Sequence, residues 1–520
     1  MVAAGIVGLL FAAPLVFLVR EGLSGDQDLL ELYTSARTLT PLRGTLTLAA
    51  ATAASASLIG TGLAWLTTRT DLPLRRLWAT LAPLPLVFPS FVGALALLAA
   101  VSPGGLLDAP LGWFGLEPFR PEGFMGAWVV LTLFTTPYVM LPVAARLIAL
   151  SPSLEENARL LGRSPLGVFR TVVVPQISGS IWAGGMLVFL YTVSEFGVVA
   201  LLRYDTLTRA IFEDRLFNRS RSLGLALLLA VLALVVVATE RAVARRRPAL
   251  EAVQGRRPLQ VPLGRWRWPA LAAVAGWVVV ALGGPLASLG VWAWRGLTGS
   301  GSRLSRGADV GLGSLGAPAA NTVIIGLVAA GTAVAVLLPL AYLSARHRAP
   351  AGDLVNGIVA VGFAVPGLVI ALAVVALTVG LPEGFGLRES LPLLVAAYVV
   401  NLGVLSLRAA QVAVASVPRR LDESARILGA GRARRFVTVD APLMLPGLAA
   451  GGGLVLLSVM KELPITLLLA PLGFETLATR IWKNAEASFL PEVGLASLVL
   501  VALSGVLTWL LVVRRTERLA

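Results

Sequence analysis

The chain has 520 residues, of which 57% are hydrophobic and only 14% charged, with a mean hydropathy of +0.84, and this composition excludes an ordinary water-soluble globular protein. The formal net charge is +15, from 43 Lys and Arg against 28 Asp and Glu. There is no cysteine and a single histidine, so disulfides, thiolate metal sites and cysteine nucleophiles are excluded.

In chain order, apolar runs long enough to cross a hydrocarbon core of about 30 Å predict about twelve helices. They lie near residues 2–19, 44–66, 78–101, 126–150, 177–202, 222–239, 270–294, 320–345, 354–380, 391–413, 443–470 and 493–513. The expected fold class is all-α integral membrane, because lipid gives unpaired backbone amides no partner and the short alternating segments of a barrel are missing. Residues 1–19 are expected to be a retained span. They lack the basic start of a signal peptide, and Pro14 has a counterpart at Pro285.

Charge distributes by side. With both termini inside, the loops at 69–76, 146–170, 240–267, 346–353, 408–440 and 514–518 hold 27 Arg and 10 acids, whereas the opposite loops hold 15 basic and 16 acidic residues. That is the positive-inside pattern of a multi-pass membrane protein. Arginines scattered over six loops without interleaved aromatics do not form a nucleic-acid surface. The only lysines, Lys461 and Lys483, do not follow glycine, so no phosphate-binding GxxxxGK[ST] loop exists. His347 is expected to be a loop residue. No metal site, other cofactor or catalytic constellation is expected, and the chain is not expected to be an enzyme.

The chain repeats itself. Thr45, Trp65, Arg69 and Pro89 match Thr322, Tyr342, Arg346 and Pro366 at an offset of 277, and from Leu154 onward the offset is 267, carrying Glu156 to Glu423, Gly184 to Gly451 and Glu195 to Glu462. The division expected is a six-span repeat at 1–240, an Arg/Pro-rich cytoplasmic linker at 241–268 and a second repeat at 269–520. An even number of spans per half makes the halves parallel, with a transport pathway at their seam. Pro89 and Pro366 are expected to kink matched spans.

The best-matched polar element is a loop, LEENARLLGRSPLGVFRTVVVP and LDESARILGAGRARRFVTVDAP. Each copy predicts a short helix with an apolar pair, Leu160 with Leu161 or Ile427 with Leu428. Glu156 can pair with Arg159, and Glu423 with Arg426, on its surface. Gly162 or Gly429 is expected at the turn through positive φ, and Pro175 or Pro442 at the start of the next span. A lone copy reads as an amphipathic helix resting on the membrane. Two copies at one place in diverged halves read as a docking surface.

Glu156, Ala158, Gly162, Val172, Val174 and Pro175, and again Glu423, Ala425, Gly429, Val439, Ala441 and Pro442, resemble the EAA loop of ABC importer permeases, with Asn157 and Ser424 in place of its first alanine. The resemblance implies the type I permease fold, two cytoplasmic ABC ATPase subunits docking on the two loops, and an extracytoplasmic substrate-binding protein. A single chain of two fused six-span halves resembles the ferric-iron permeases, through YTVSEFGVVALL at 191–202 and VMKELPITLLLAPLGFETLATRIW at 459–482. Thiamine permeases share the fused architecture, and polyamine and anion permeases share the loop. A secondary transporter of two six-helix halves is the alternative from another class. Ser194, Glu195, Lys461 and Glu462, ionisable or polar residues at membrane depth, are the candidate lining of the pathway or its gate. A structural pairing of these charges is the competing reading.

Overall fold

A computed structural model describes residues 2–24, 29–113, 115, 120–245, 259–298, 311–347, 350–379 and 390–510. Most of the linker, 246–258, the segment 380–389 and the basic tail at 514–518 lie outside the described residues. Among the described residues the chain is helical, apart from one isolated bridge between Thr70 and Val261.

Among the described residues ten helices are long and apolar enough to cross a membrane: Gly5–Leu23, Ala36–Arg69, Phe124–Ala149, Phe169–Ser194, Arg219–Val243, Gly264–Thr298, Leu312–Arg346, Leu391–Ser416, Arg432–Met460 and Leu490–Thr508. The expected spans at 78–101 and 354–380 are instead broken pairs, Arg75–Val87 with Ser90–Val101 bent by 96° and Leu354–Ala364 with Gly367–Val379 bent by 106°. Pro89 and Pro366 lie at the breaks. These are near right angles, not the mild kinks that a proline inside a continuous helix produces.

The first broken pair still crosses once. The helix Gly264–Thr298 is tied at one end to the turn after the second span, by Val261 N–H to the Arg69 carbonyl and Leu263 N–H to Asp71 Oδ1, both 2.8 Å. Towards its other end Ser288 donates to the Ala96 carbonyl at 2.8 Å, Trp292 to that of Ala99 at 2.9 Å, and Arg295 to that of Gly104. The bent pair between residues 71 and 104 therefore covers the same depth as a straight helix.

The fifth and eleventh spans end earlier than their apolar runs. They stop at Ser194 and Met460, and the remainder folds into the short helices Gly197–Leu201 and Pro464–Leu469. Both spans also begin before their prolines. A π turn, Phe169–Val173 or Phe436–Asp440, precedes Pro175 or Pro442, and a third, Val279–Gly283, precedes Pro285 by the same spacing. The wider turn accommodates a residue that lacks an N–H and would crowd the preceding carbonyl.

The chain packs as two compact units, one of residues 1–34, 211–231 and 296–520, the other of 35–210 and 232–295. Repeat and packing unit are thus different divisions of the chain. In the first unit the N-terminal span runs beside both arms of the second broken pair, with Phe11 fully buried and close to Gly362. In the second unit, Leu63, Val139, Val143, Leu147, Val173 and Ile177 form a core that includes Val274 and Val278 of the seventh span. Gly184 and Gly451, matched in the repeat, do equivalent work: an added Cβ would come within 2.8 Å of the Val139 backbone or 2.6 Å of Ala409 Cβ. Small residues let membrane helices approach closely where apolar burial gives no net drive.

Candidate functional site

The two polar loops fold alike. Pro152–Leu160 and Arg419–Ile427 are short helices, and each ends at a glycine in the left-handed region, Gly162 at φ +80° and Gly429 at φ +79°. Gly162 N–H donates to the Arg159 carbonyl at 2.9 Å and Arg163 N–H to that of Ala158 at 3.2 Å. In the second copy Gly429 donates to Arg426 and Ala430 to Ala425, both at 3.0 Å. This pair of bonds is the Schellman ending, which satisfies the last helical carbonyls only when the turn residue accepts positive φ.

What each helix shows outward is unusual for a polar loop. Leu160 and Leu161 are 85% and 83% exposed, and Ile427 and Leu428 are 85% and 86% exposed. Ala158 is buried and Ala425 half-buried, whereas Glu156 and Glu423 are exposed. No ion pair joins Glu156 to Arg159 or Glu423 to Arg426 among the described residues. Each loop therefore presents an apolar pair flanked by charge, a pattern that a partner's groove can cover.

Behind each helix lies a joint to the second span of its repeat. Trp65 packs edge-on against Phe169, the first residue of the π turn, with centroids 4.7 Å apart. Its counterpart Tyr342 donates to Asp440 Oδ2, in the second π turn, at 3.1 Å. Arg69 and Arg346 lie over these rings at 5.8 and 5.9 Å. They donate to carbonyls just before the loop helix, Leu147 at 3.2 Å and Val417 at 3.0 Å. In the first copy Arg69 also binds Glu155, and both side chains are fully buried. Sequence reasoning singled out Glu156 and passed over its neighbour Glu155. The signal available was the unexplained match of Arg69 with Arg346.

Ser194 and Glu195 lie in one compact unit, Lys461 and Glu462 in the other. Glu195 is buried at the break after the fifth span. Its Oε1 accepts Val198 N–H of the next short helix at 3.1 Å, its Oε2 accepts the Ser90 hydroxyl at 2.8 Å, and its carbonyl accepts Thr208 at 2.6 Å. Ser90 is the first residue after the Pro89 break. Glu462 repeats the arrangement: Oε1 accepts Ile465 N–H at 3.3 Å, and Thr466 donates to its carbonyl at 2.9 Å. Gly367, the counterpart of Ser90, is so close that an added Cβ would stand 2.9 Å from the same Oε1. Each carboxylate thus caps the short helix that follows the fifth or eleventh span, Glu195 also holds Ser90 of the first broken span, and Gly367 of the second broken span packs close against Glu462. Ser194 and Lys461 are half-buried beside them. An anionic group at a helix N-terminus also compensates its orphan amides.

The profile of the family described as "Binding-protein-dependent transport system inner membrane component" matches residues 56–247 and 337–518, once in each half. The chain is 27% identical to the Fe(3+)-transport system permease protein FbpB 2 of Haemophilus influenzae, across 97% of this chain and 96% of that protein. It is 33% identical to the sulfate transport system permease protein CysT of Salmonella typhimurium over 27% of this chain and 50% of the relative. It is 32% identical to the molybdenum transport system permease protein ModB of Azotobacter vinelandii, over 32% and 72% respectively. The chain, with its membrane helices and two matched domains, belongs to the binding-protein-dependent transport system inner membrane components, the multi-pass permeases of ABC importers that work with a substrate-binding protein and an ATPase and are not enzymes themselves.

Proposed function

We propose that this chain is the permease of a ferric-iron importer, its two six-span repeats at 1–240 and 269–520 joined by the linker 241–268. Ferric iron arrives on an extracytoplasmic binding protein, and two copies of one ATPase close on ATP beneath the two loops. Both termini are cytoplasmic. The observation that carries the ATPase contact is the pair of exposed apolar dipeptides, Leu160 with Leu161 and Ile427 with Leu428, held out by matched Schellman turns. The observation that favours iron is the relative aligned along nearly the whole of both chains.

In this reading Glu156, Ala158, Gly162 and Pro175, with Glu423, Ala425, Gly429 and Pro442, form the coupling loops. Ser194, Glu195, Lys461 and Glu462 line the translocation pathway or its gate. The hydrogen bonds of the two carboxylates give them a specific part there: each caps the short helix that follows its span, and Glu195 also holds Ser90 at the break of the third span. This chain contributes the pathway and levers to alternating access, and ATP supplies the bias between states.

Co-expression with the cognate ATPase and binding protein tests the reading. Leu160→Asp with Leu161→Asp, and the same change at Ile427 and Leu428, should each remove most ATPase co-purification and at least about tenfold of ferric-iron uptake, the scale of a lost interface hot spot. Full co-purification by both variants would overturn the coupling assignment. Uptake of sulfate or molybdate in place of iron would move the substrate to the anions named for the partial relatives.

A further inference from the structure

An arginine recurs at the end of the second span of each repeat, Arg69 and Arg346. Arg69 is wholly buried, and its guanidinium touches three elements: the ring of Trp65 on its own helix, the Leu147 carbonyl at the end of the fourth span, and Glu155 in the first turn of the coupling helix. Its backbone carbonyl accepts Val261 N–H at 2.8 Å, so the chain leading to the seventh span is fastened at the same point. Trp65 in turn packs on Phe169, where the fifth span begins. Arg346 keeps its equivalent aromatic and carbonyl contacts in the second repeat.

Burying an ion pair is poor economy for stability alone, since an apolar pair of similar volume serves as well or better. A guanidinium that donates to two groups at once has a different merit: it fixes the relative position of the elements it joins. A helix merely resting on the loop surface would need neither a buried glutamate nor an arginine shared with two spans.

We infer that Arg69 and Glu155 are the positioning residues of the coupling stroke. They form the joint that carries a displacement of the helix Pro152–Leu160 into the inner ends of the second and fourth spans, and Arg346 is the corresponding joint of the second repeat. This rests on the coupling role proposed for the loops. Arginine is required in place of lysine because one ammonium cannot hold the carboxylate and the Leu147 carbonyl in a fixed fork.

The chain has no cysteine, so Thr68→Cys gives a clean reporter on the last turn of the second span. Among the described residues the Thr68 hydroxyl bonds its own helix alone, at the Ala64 carbonyl. In proteoliposomes holding the whole complex, maleimide labelling at this site is compared without nucleotide and after trapping with ATP and vanadate. The rate should change by about threefold or more with the native joint, as a two-state shift requires. Arg69→Lys and Glu155→Gln should each abolish the change while the ATPase still co-purifies at the native level.

An unchanged nucleotide response in both variants would overturn the joint, as would a native complex with no response. Loss of membrane accumulation or of ATPase binding by Arg69→Lys would also overturn it, by making the pair a plain folding element. The Leu160 and Leu161 variants decide the coupling reading separately, because they report on ATPase binding without touching the joint.

Discussion

Glu475 illustrates how far a single charged residue can be read. It lies in the loop between the short helices Pro464–Leu469 and Leu477–Glu486, outside the spans, and binds Lys483 and, at 3.2 Å, Arg480. The Lys483 hydrogen bond, above all, holds its carboxyl below the usual range, with Arg480 adding to the effect against the opposing cost of burial. Arg480 also binds Glu492 at 2.7 Å, and that bond raises its already high pKa. A carboxylate with a lowered folded pKa stabilises the fold fully above its unfolded pKa of about 4, and that contribution is lost as pH falls through the folded value. The thermal stability of detergent-purified protein should therefore exceed that of Glu475→Gln near neutrality, and the difference should shrink on acidification below about pH 4. A difference that grows on acidification would contradict the assignment.

Also at the residue scale, the glycine turns were legible in the sequence and Glu155 was not. Gly162 and Gly429 announce themselves by position after a short amphipathic helix, a local signal. Glu155 and Glu156 are adjacent acids in one helix. What separates them is Arg69, 86 positions away along the chain.

At the scale of elements, matched threonines show how a repeat is held. Thr45 Oγ1 donates to the Pro41 carbonyl at 2.9 Å and accepts Leu207 N–H at 2.9 Å. Thr322 donates to Pro318 at 2.7 Å and accepts Leu477 N–H at 2.8 Å. Both hydroxyls are buried, so each orders the start of a short helix that has left its span. Thr45→Val or Thr322→Val should cost about 1–3 kcal/mol by leaving a buried amide unpaired, while Thr→Ser at either site should cost less. Chemical denaturation followed by tryptophan fluorescence would measure it, and a Val variant as stable as the native chain would refute it. The pattern of apolar runs located the spans, but it ran through Glu195 and Glu462 because the short helices that follow are equally apolar. Hydropathy records burial and not direction, so a turn back into the protein carries no signature in it. The three π turns were likewise unreadable, although in retrospect each stands at the same spacing before a proline.

For the whole molecule, the charge asymmetry of the loops gives a test of orientation. Cysteines introduced at Ser164 and Gly431 should react with an impermeant maleimide only from the cytoplasmic side, and one at Leu472, 90% exposed in the loop beyond the eleventh span, only from the opposite side. Labelling of all three from one face would overturn the topology. Composition, the duplicated loop and the arginine distribution pointed to a membrane permease of about twelve helices in two matched halves, because each is a local or additive property of the chain. The tertiary structure alone decided that residues 1–34 pack with the second half and 232–295 with the first, that two crossings are broken at right angles, and that Arg69 meets Glu155. These depend on contacts between segments far apart in sequence, and the same apolar helices could satisfy lipid in many other pairings; only close packing and buried polar partners select one.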